Sequence, residues 1–291
     1  MDLRQMEYFQ MVCRLNNLTR AAERLHVAQP AISVAMQKLE EELGVQLFSR
    51  SQKQFTLTTE GQVFLARVED ILSRTQDAIL EMHEYRELRK GTIKLGVPPM
   101  IGSYLFPHIF AGFKQVYPSL DLSVIEEGSL AIRGMLERDE LDLGIVITCH
   151  MSPLLQSELI TSGEILVCLS PFHPLAGVEK VDFAQLRQEP FILLKEDTYH
   201  RQVILQQCKR HNFEPNIILA SSQIDTIRGL VARGVGISFL FDVVARKDPQ
   251  IQCVPLVEPL CIEIGLAWKK DRYLSKASQA FLDYMSTLIA K

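Results

Sequence analysis

Gln29, Ser33 and Gln37 stand four residues apart, with Pro30 and Val34 beside them. Ile32, Met36, Leu39 and Leu43 recur at helical spacing through the same stretch. A helix beginning at Gln29 therefore buries those four and turns the amides and the hydroxyl outward. Amide side chains read base edges bidentately, and the positive end of a helix suits a phosphate. Pro30 falls in the first turn, where its missing N–H costs nothing. Taken singly, Gln and Ser on a helix face need no explanation beyond solvation. Their neighbours add to them. Ala21, Ala22 and Leu25 mark a preceding short helix, and only His26, Val27 and Ala28 separate the two. Two helices across a three-residue turn present an uncharged, hydrogen-bonding end in the way a major groove requires.

The elements that must position this end are legible on either side. Residues 2–15 form an amphipathic helix with Leu3, Met6, Tyr8, Phe9, Val12 and Leu15 on or near one face, and Asn16 and Asn17 close it and can cap the next helix. Three short helices precede a change of character at Leu43. There "VQLF" and "FTLT" read as two short strands of a wing, with Arg50 and Lys53 in the bend. A helix of roughly 30 residues then begins at Thr58. Phe64, Val68, Ile71, Thr75, Ala78, Met82 and Tyr85 recur along it at steps of four and three, with Leu65, Leu72 and Ile79 beside them. Such a seam has no obvious partner in its own neighbourhood, so pairing with the same helix of a second subunit is expected.

"RELRKGTIKLGVPP" marks a boundary near Gly91. Beyond it, strands in "TIKLGV", "LSVIEE", "LDLGIV", "EILVCLS", "FILLKE", "NIILAS", "GISFL", "IQCVPL" and "IEIGLAW" alternate with helices at 103–117, 130–138, 182–188, 200–211, 223–233 and 275–290. This alternation predicts an α/β domain with a mostly parallel sheet. Ligands of such sheets sit beyond the carboxyl ends of strands, where helices begin. The polar groups at those points are Ser103 in "PPMIGSY", which also holds Pro99 and Met100, Ser129 after Gly128, Thr148, then Thr198, Tyr199 and His200 in "EDTYHR". Ser222 and Gln223 follow in "SSQIDTI", and Ser222 has capping-box spacing to Asp225. Each hydroxyl alone is a helix cap. Together, with helix N-termini facing them, they predict a pocket for a small anionic metabolite. His200 is the one histidine placed near it, as a hydrogen-bonding surface residue.

Composition narrows the function classes. With 31 basic against 35 acidic residues, the net charge of −4 excludes a global polycation, so nucleic-acid contact must be local. No run of about 18 apolar residues and no basic-then-apolar start occurs, which predicts a cytoplasmic protein without a membrane partner. The six cysteines are scattered without Cys-x-x-Cys, as small core residues are. Nothing matches G-x-S-x-G, a Walker loop or H-E-x-x-H, and the seven histidines never fall at metal-ligand spacing. No enzyme activity, metal or cofactor is expected. Gly234 and Gly236 mimic the start of a dinucleotide fingerprint but precede a strand, as a helix-to-strand turn does.

The stretch "LTRAAERLHVAQPAISVAMQKLEEELGVQLFSRSQKQFTLTTEG" resembles the winged helix-turn-helix of the LysR-type transcriptional regulators, and the strand–helix order after Gly91 is similar to that family's effector domain. The resemblance implies that Gln29, Pro30 and Ser33 approach bases, and that Val34, Gln37 and Lys38 share their DNA-facing surface. It places Arg50 and Lys53 at the wing or backbone and Thr58 as a cap of the long helix near a phosphate. Two departures stand out. Ala28 replaces the family's frequent hydroxyl cap, and Met100 stands where a hydroxyl often contacts a ligand carboxylate, leaving that contact to Ser103 or the backbone. The resemblance further implies a winged helix-turn-helix over 1–60, a linker and dimerisation helix over 61–90, and a two-lobed effector domain over 91–291, similar to periplasmic binding proteins. Its lobes are placed at 91–162 with 265–291 and at 163–264. Partners implied are double-stranded DNA, a small-molecule effector, further copies of the chain up to a homotetramer, and RNA polymerase. The alternative within this architecture is a thiol redox sensor using Cys168 and Cys208, although their spacing does not resemble the family's paired-cysteine peroxide sensor.

Overall fold

A computed structural model describes residues 1–49, 56–86, 91–245 and 249–289. The chain divides into two units, Met1–Arg86 and Glu87–Lys291.

In the first unit, α1 (Leu3–Leu15) opens on a capping box: Asp2 accepts from the Gln5 N–H at 2.8 Å while the Gln5 side chain accepts from the Asp2 N–H at 3.0 Å. Asn16 closes the helix in the left-handed region, and Asn17 caps α2 (Leu18–Arg24) by accepting from Arg20 N–H at 3.0 Å. α3 (Gln29–Leu43) follows and ends at Gly44, whose φ is 68°. Phe9 is the hub of the core, with its ring 5.4 Å from Phe48 and 5.1 Å from Phe64. Glu40 is no free charge: its carboxylate accepts from Leu47 and Phe48 N–H at 2.8 and 3.1 Å, tying α3 to the wing. The wing pairs β1 (Phe48–Ser49) antiparallel with β2 (Thr56–Leu57).

α4 (Thr59–Arg86) starts against this wing. Gly61 is required there, because a Cβ would lie 2.1 Å from the Leu47 carbonyl oxygen. The apolar seam of α4 divides in two, which corrects the expectation that nothing nearby could bury it. Val68 is buried, and Phe64, Leu65 and Leu72 pack on the core around α1. Ile71 and, further along, Ile79 and Met82 stay exposed, Met82 at 60 %.

The second unit is built on a seven-stranded sheet. Its strands are β3 (Gly91–Val97), β4 (Leu120–Glu126), β5 (Leu143–Ile147), β6 (Leu155–Leu169), β9 (Ser238–Phe241), β10 (Gln252–Val254) and β11 (Leu260–Lys269), in the order β10-β6-β11-β5-β3-β4 with β9 also on β6. A separate parallel pair joins β7 (Pro190–Leu193) to β8 (Asn216–Ala220). The sheet is mixed and not mostly parallel as the sequence pattern predicts. Only the β3–β4 and β3–β5 pairings in it are parallel, whereas β6 and β11 run antiparallel to all their neighbours. An apolar run does not encode strand direction, which pairing sets, and β6 is also longer than its run. Its first half, from Leu155, is largely exposed and lacks the apolar run of "EILVCLS", so only the second half announces itself.

Helices cover both faces: α5 (Pro99–Tyr104), α6 (Phe106–Val116), α7 (Ser129–Glu137), α8 (Tyr199–Arg210), α9 (Ile224–Ala232), α10 (Asp242–Ala245) and α11 (Lys276–Ile289), with a 3-10 turn at Phe183–Gln188. The expected single helix 103–117 begins earlier, at Pro99, and breaks before Phe106-Pro107. Gly234, at φ 71°, serves the helix-to-strand turn.

Candidate DNA-reading helix and effector cavity

On α3 the two faces separate cleanly. Ile32, Met36 and Leu39 are buried, whereas Gln29, Pro30, Ser33, Val34, Gln37 and Lys38 are all exposed. The Gln37 amide donates to Glu41 at 2.9 Å, which orients it along the helix. Ala28 supplies no side-chain cap. Thr58 does cap α4: its Oγ1 accepts from Gly61 N–H at 2.9 Å and donates to the Gln46 carbonyl at 2.7 Å. With its one proton committed to Gln46, the Thr58 hydroxyl has no donor left for a phosphate. Arg50 and Lys53 lie outside the described residues.

In the second unit, a partly open cavity gathers the start of α5, the β5 end, the β11 centre and the start of α8. Pro99, Met100, Ser129, Thr198 and His200 line it, together with Val146, Ile147, Leu194, Phe241, Ile262 and Ile264, which the strand-end argument does not single out. Five other candidates are elsewhere. Ser103 donates to the Met100 carbonyl at 3.0 Å, and Thr148 donates to Glu263 at 3.1 Å. The Tyr199 ring sits 5.7 Å from the Arg133 guanidinium. Ser222 does not line the cavity, and its capping box with Asp225 does not form, since α9 has Gln223 as its N-cap with no side-chain bond. The Gln223 side chain instead accepts from the Thr226 hydroxyl at 3.0 Å.

The α7 and α8 starts at the cavity are tied to each other. The Asp197 carboxylate accepts from Gly128 N–H at 2.7 Å, and the Asp197 carbonyl accepts from Leu130 N–H at 3.1 Å. In return, the Ser129 hydroxyl accepts from Tyr199 N–H at 3.1 Å, so each loop caps the other's helix. Thr198 completes the α8 terminus, accepting from Arg201 N–H at 3.4 Å while donating to Lys195 at 2.7 Å. Asp197 was invisible to motif reasoning because its partner lies 69 residues away.

His200 is buried, 2 % exposed, with no protein partner on either ring nitrogen. This corrects its placement as a surface residue, and burial pulls its pKa down to about 4. The nearby cations are turned to carbonyls. Arg133 donates to Ile147 and, at 2.7 Å, to Cys149, and burial lowers its pKa. Arg201 donates to Leu194 at 3.2 Å and pairs with Glu196 at 3.3 Å. Among the described residues, no cationic side chain lines the cavity.

Cys168 does not face Cys208. Its sulfur lies 3.5 Å from that of Cys253, directly across the β6–β10 pairing. Burial raises the Cys168 thiol pKa well above its ordinary value and pushes Cys208 up to about 12. Such thiols are poor nucleophiles. Among the described residues there is no group of three potential metal ligands and no helix long and apolar enough to cross a membrane.

Two family models match the chain: the bacterial regulatory helix-turn-helix protein of the lysR family over residues 3–62, and the LysR substrate binding domain over residues 86–289. The HTH-type transcriptional regulator YwbI of Bacillus subtilis is 34% identical, over 99% of this chain and 97% of its own. Among solved structures, a full-length OxyR variant of Pseudomonas aeruginosa is similar at 28% identity and a TM-score of 0.61, covering 98% of this chain and 99% of that one. HinK, a LysR family transcriptional regulator of the same organism, is similar at 27% identity and 0.58, covering 99% and 98%.

Proposed function

Since the chain belongs to the LysR family of DNA-binding transcriptional regulators, and so is not an enzyme, we propose that α3 is its reading helix and the cavity beside His200 its effector site. The observation that carries the first part is the sorting of α3: the face opposite its buried residues offers two amides, a hydroxyl and the Val34 side chain, with Glu41 held to Gln37 at its far end. Gln29 and Gln37 would address base edges, Val34 a thymine methyl, and Lys38 the backbone. Arg50 and Lys53 belong to the wing contact, and at Thr58 the first-turn N–H groups of α4 are the available phosphate donors.

One such helix neutralises few phosphates. The exposed Ile71, Ile79 and Met82 on α4 give a second copy an apolar stripe to pair with. A dimer would present two reading helices about 34 Å apart on a palindromic site, and two dimers a tetramer. Effector binding at the cavity would shift the equilibrium between assemblies through a difference in affinity for them. The protein would act in the cytoplasm, with RNA polymerase as its further partner.

The test compares two variants by gel shift on a footprinted operator and on random DNA. Gln29→Ala should weaken operator binding by about 1–3 kcal/mol with random DNA unaffected. Lys38→Ala should weaken both alike and lower the salt slope by about one. Equal losses on both DNAs for both variants would sink this assignment of roles.

A further inference from the structure

Resting on the reading of this cavity as the effector site, we infer that its ligand is an uncharged, mainly apolar molecule with one hydroxyl or carbonyl group, held by a hydrogen bond to His200. The walls decide the first half. They are hydrocarbon from Val146, Leu194, Phe241, Ile262 and Ile264, with the Met100 thioether where the family resemblance leads one to expect a hydroxyl. An ionised ligand would lose its hydration with no cationic side chain among the described lining residues to compensate, a loss that apolar surroundings make severe. It would also enter beside Asp197, whose carboxylate already holds the α7 N-terminus that an anion would need.

His200 decides the second half. Both its ring nitrogens are buried and without a protein partner. A neutral imidazole carries one donor and one acceptor, and leaving such groups unpaired in an apolar site is costly. The other polar side chains are mostly spoken for. Thr198 both donates and accepts within its own loop, and Ser129 accepts from Tyr199. A hydroxyl can pair either nitrogen of His200 and an amide carbonyl the one that donates, while the rest of the molecule lies along the apolar walls.

The test uses the full chain at pH 7.5 and matched probes: benzyl alcohol, benzamide, toluene and benzoate, measured by calorimetry and ligand-observed NMR. Benzyl alcohol and benzamide should bind about tenfold tighter than toluene, and benzoate should bind more weakly than either polar neutral probe. His200→Leu should erase the preference for benzyl alcohol over toluene, and His200→Gln, which keeps a donor and an acceptor, should restore part of it. Tighter binding of benzoate, with proton uptake that follows the buffer, would overturn the charge assignment and leave the effector site standing. Persistence of the benzyl alcohol preference in His200→Leu would remove His200 from the account. If no probe binds, both this inference and the cavity reading fall.

Discussion

α3 and α7 both begin without a side-chain cap of their own, yet they are finished in opposite ways. At α3, Ala28, Gln29 and Pro30 face solvent, Pro30 has no N–H to satisfy, and Ala31 N–H goes to the Ala28 carbonyl at 2.9 Å. At α7, Gly128 is buried, and Asp197 brings a carboxylate and a carbonyl to its N–H groups from the start of α8. The same local feature, a helix start without its own side-chain cap, is left open to solvent in one unit and sealed by a loop distant in sequence in the other.

Two glycines give this contrast its hardest test. A Cβ at Gly61 would meet the Leu47 carbonyl oxygen at 2.1 Å, and one at Gly128 would meet the Asp197 carbonyl oxygen at 2.2 Å. Both obstacles are backbone, so Gly61→Ala and Gly128→Ala should each cost about 3 kcal/mol, at the upper end of overpacking effects. Thermal unfolding of the full chain, followed by limited proteolysis, should show the first loosening only residues before Arg86 and the second only those after Glu87. Loosening of both units by either variant would mean that they do not fold independently.

Acid sharpens the contrast further. His200 has a pKa of about 4 in the folded chain against 6.5 for an ordinary histidine, so between those values the unfolded state binds more protons. Stability is therefore complete above pH 6.5 and falls as pH drops towards 4, by about 3 kcal/mol in total. The loss should be confined to the second unit, and His200→Leu should flatten it. An equally steep pH dependence in that variant would assign the effect to other groups.

How much of this was legible beforehand depended on the range of each interaction. Asn16, Asn17 and the apolar steps of α1 and α3 act over a few residues, and they appear in the structure where their spacing puts them, except that Leu3 is exposed and Leu43 only partly buried. Among the described residues, the nine strands of the second unit each include an apolar run visible in the chain, β6 only in its second half. The antiparallel course of β6 and β11 was not legible, because strand direction is set by pairing and not by composition. At the cavity, Met100, Ser129, Thr198 and His200 come together as strand-end positions do, but their roles depend on a partner far away in sequence. Ser129 accepts from Tyr199 N–H, and Asp197 has no motif at all. The α4 seam was misread for a related reason: its periodicity is uniform, whereas the surface available on α1 covers only the turns up to Leu72.

The smallest effect is also the most direct probe of the open terminus. Ala28 has an extended backbone, φ −72° and ψ 135°, and its side chain makes no cap bond. Ala28→Ser would place a hydroxyl where it can accept a first-turn N–H of α3, adding about 1 kcal/mol to the first unit. The open-end account separates that gain from function. The Ser hydroxyl keeps its proton as a donor, so operator affinity should hold or rise slightly while the melting temperature rises. A stabilised variant that binds operator DNA distinctly worse would show that the unsatisfied end of α3 is itself the phosphate contact, and that the chain gives up stability there to keep it.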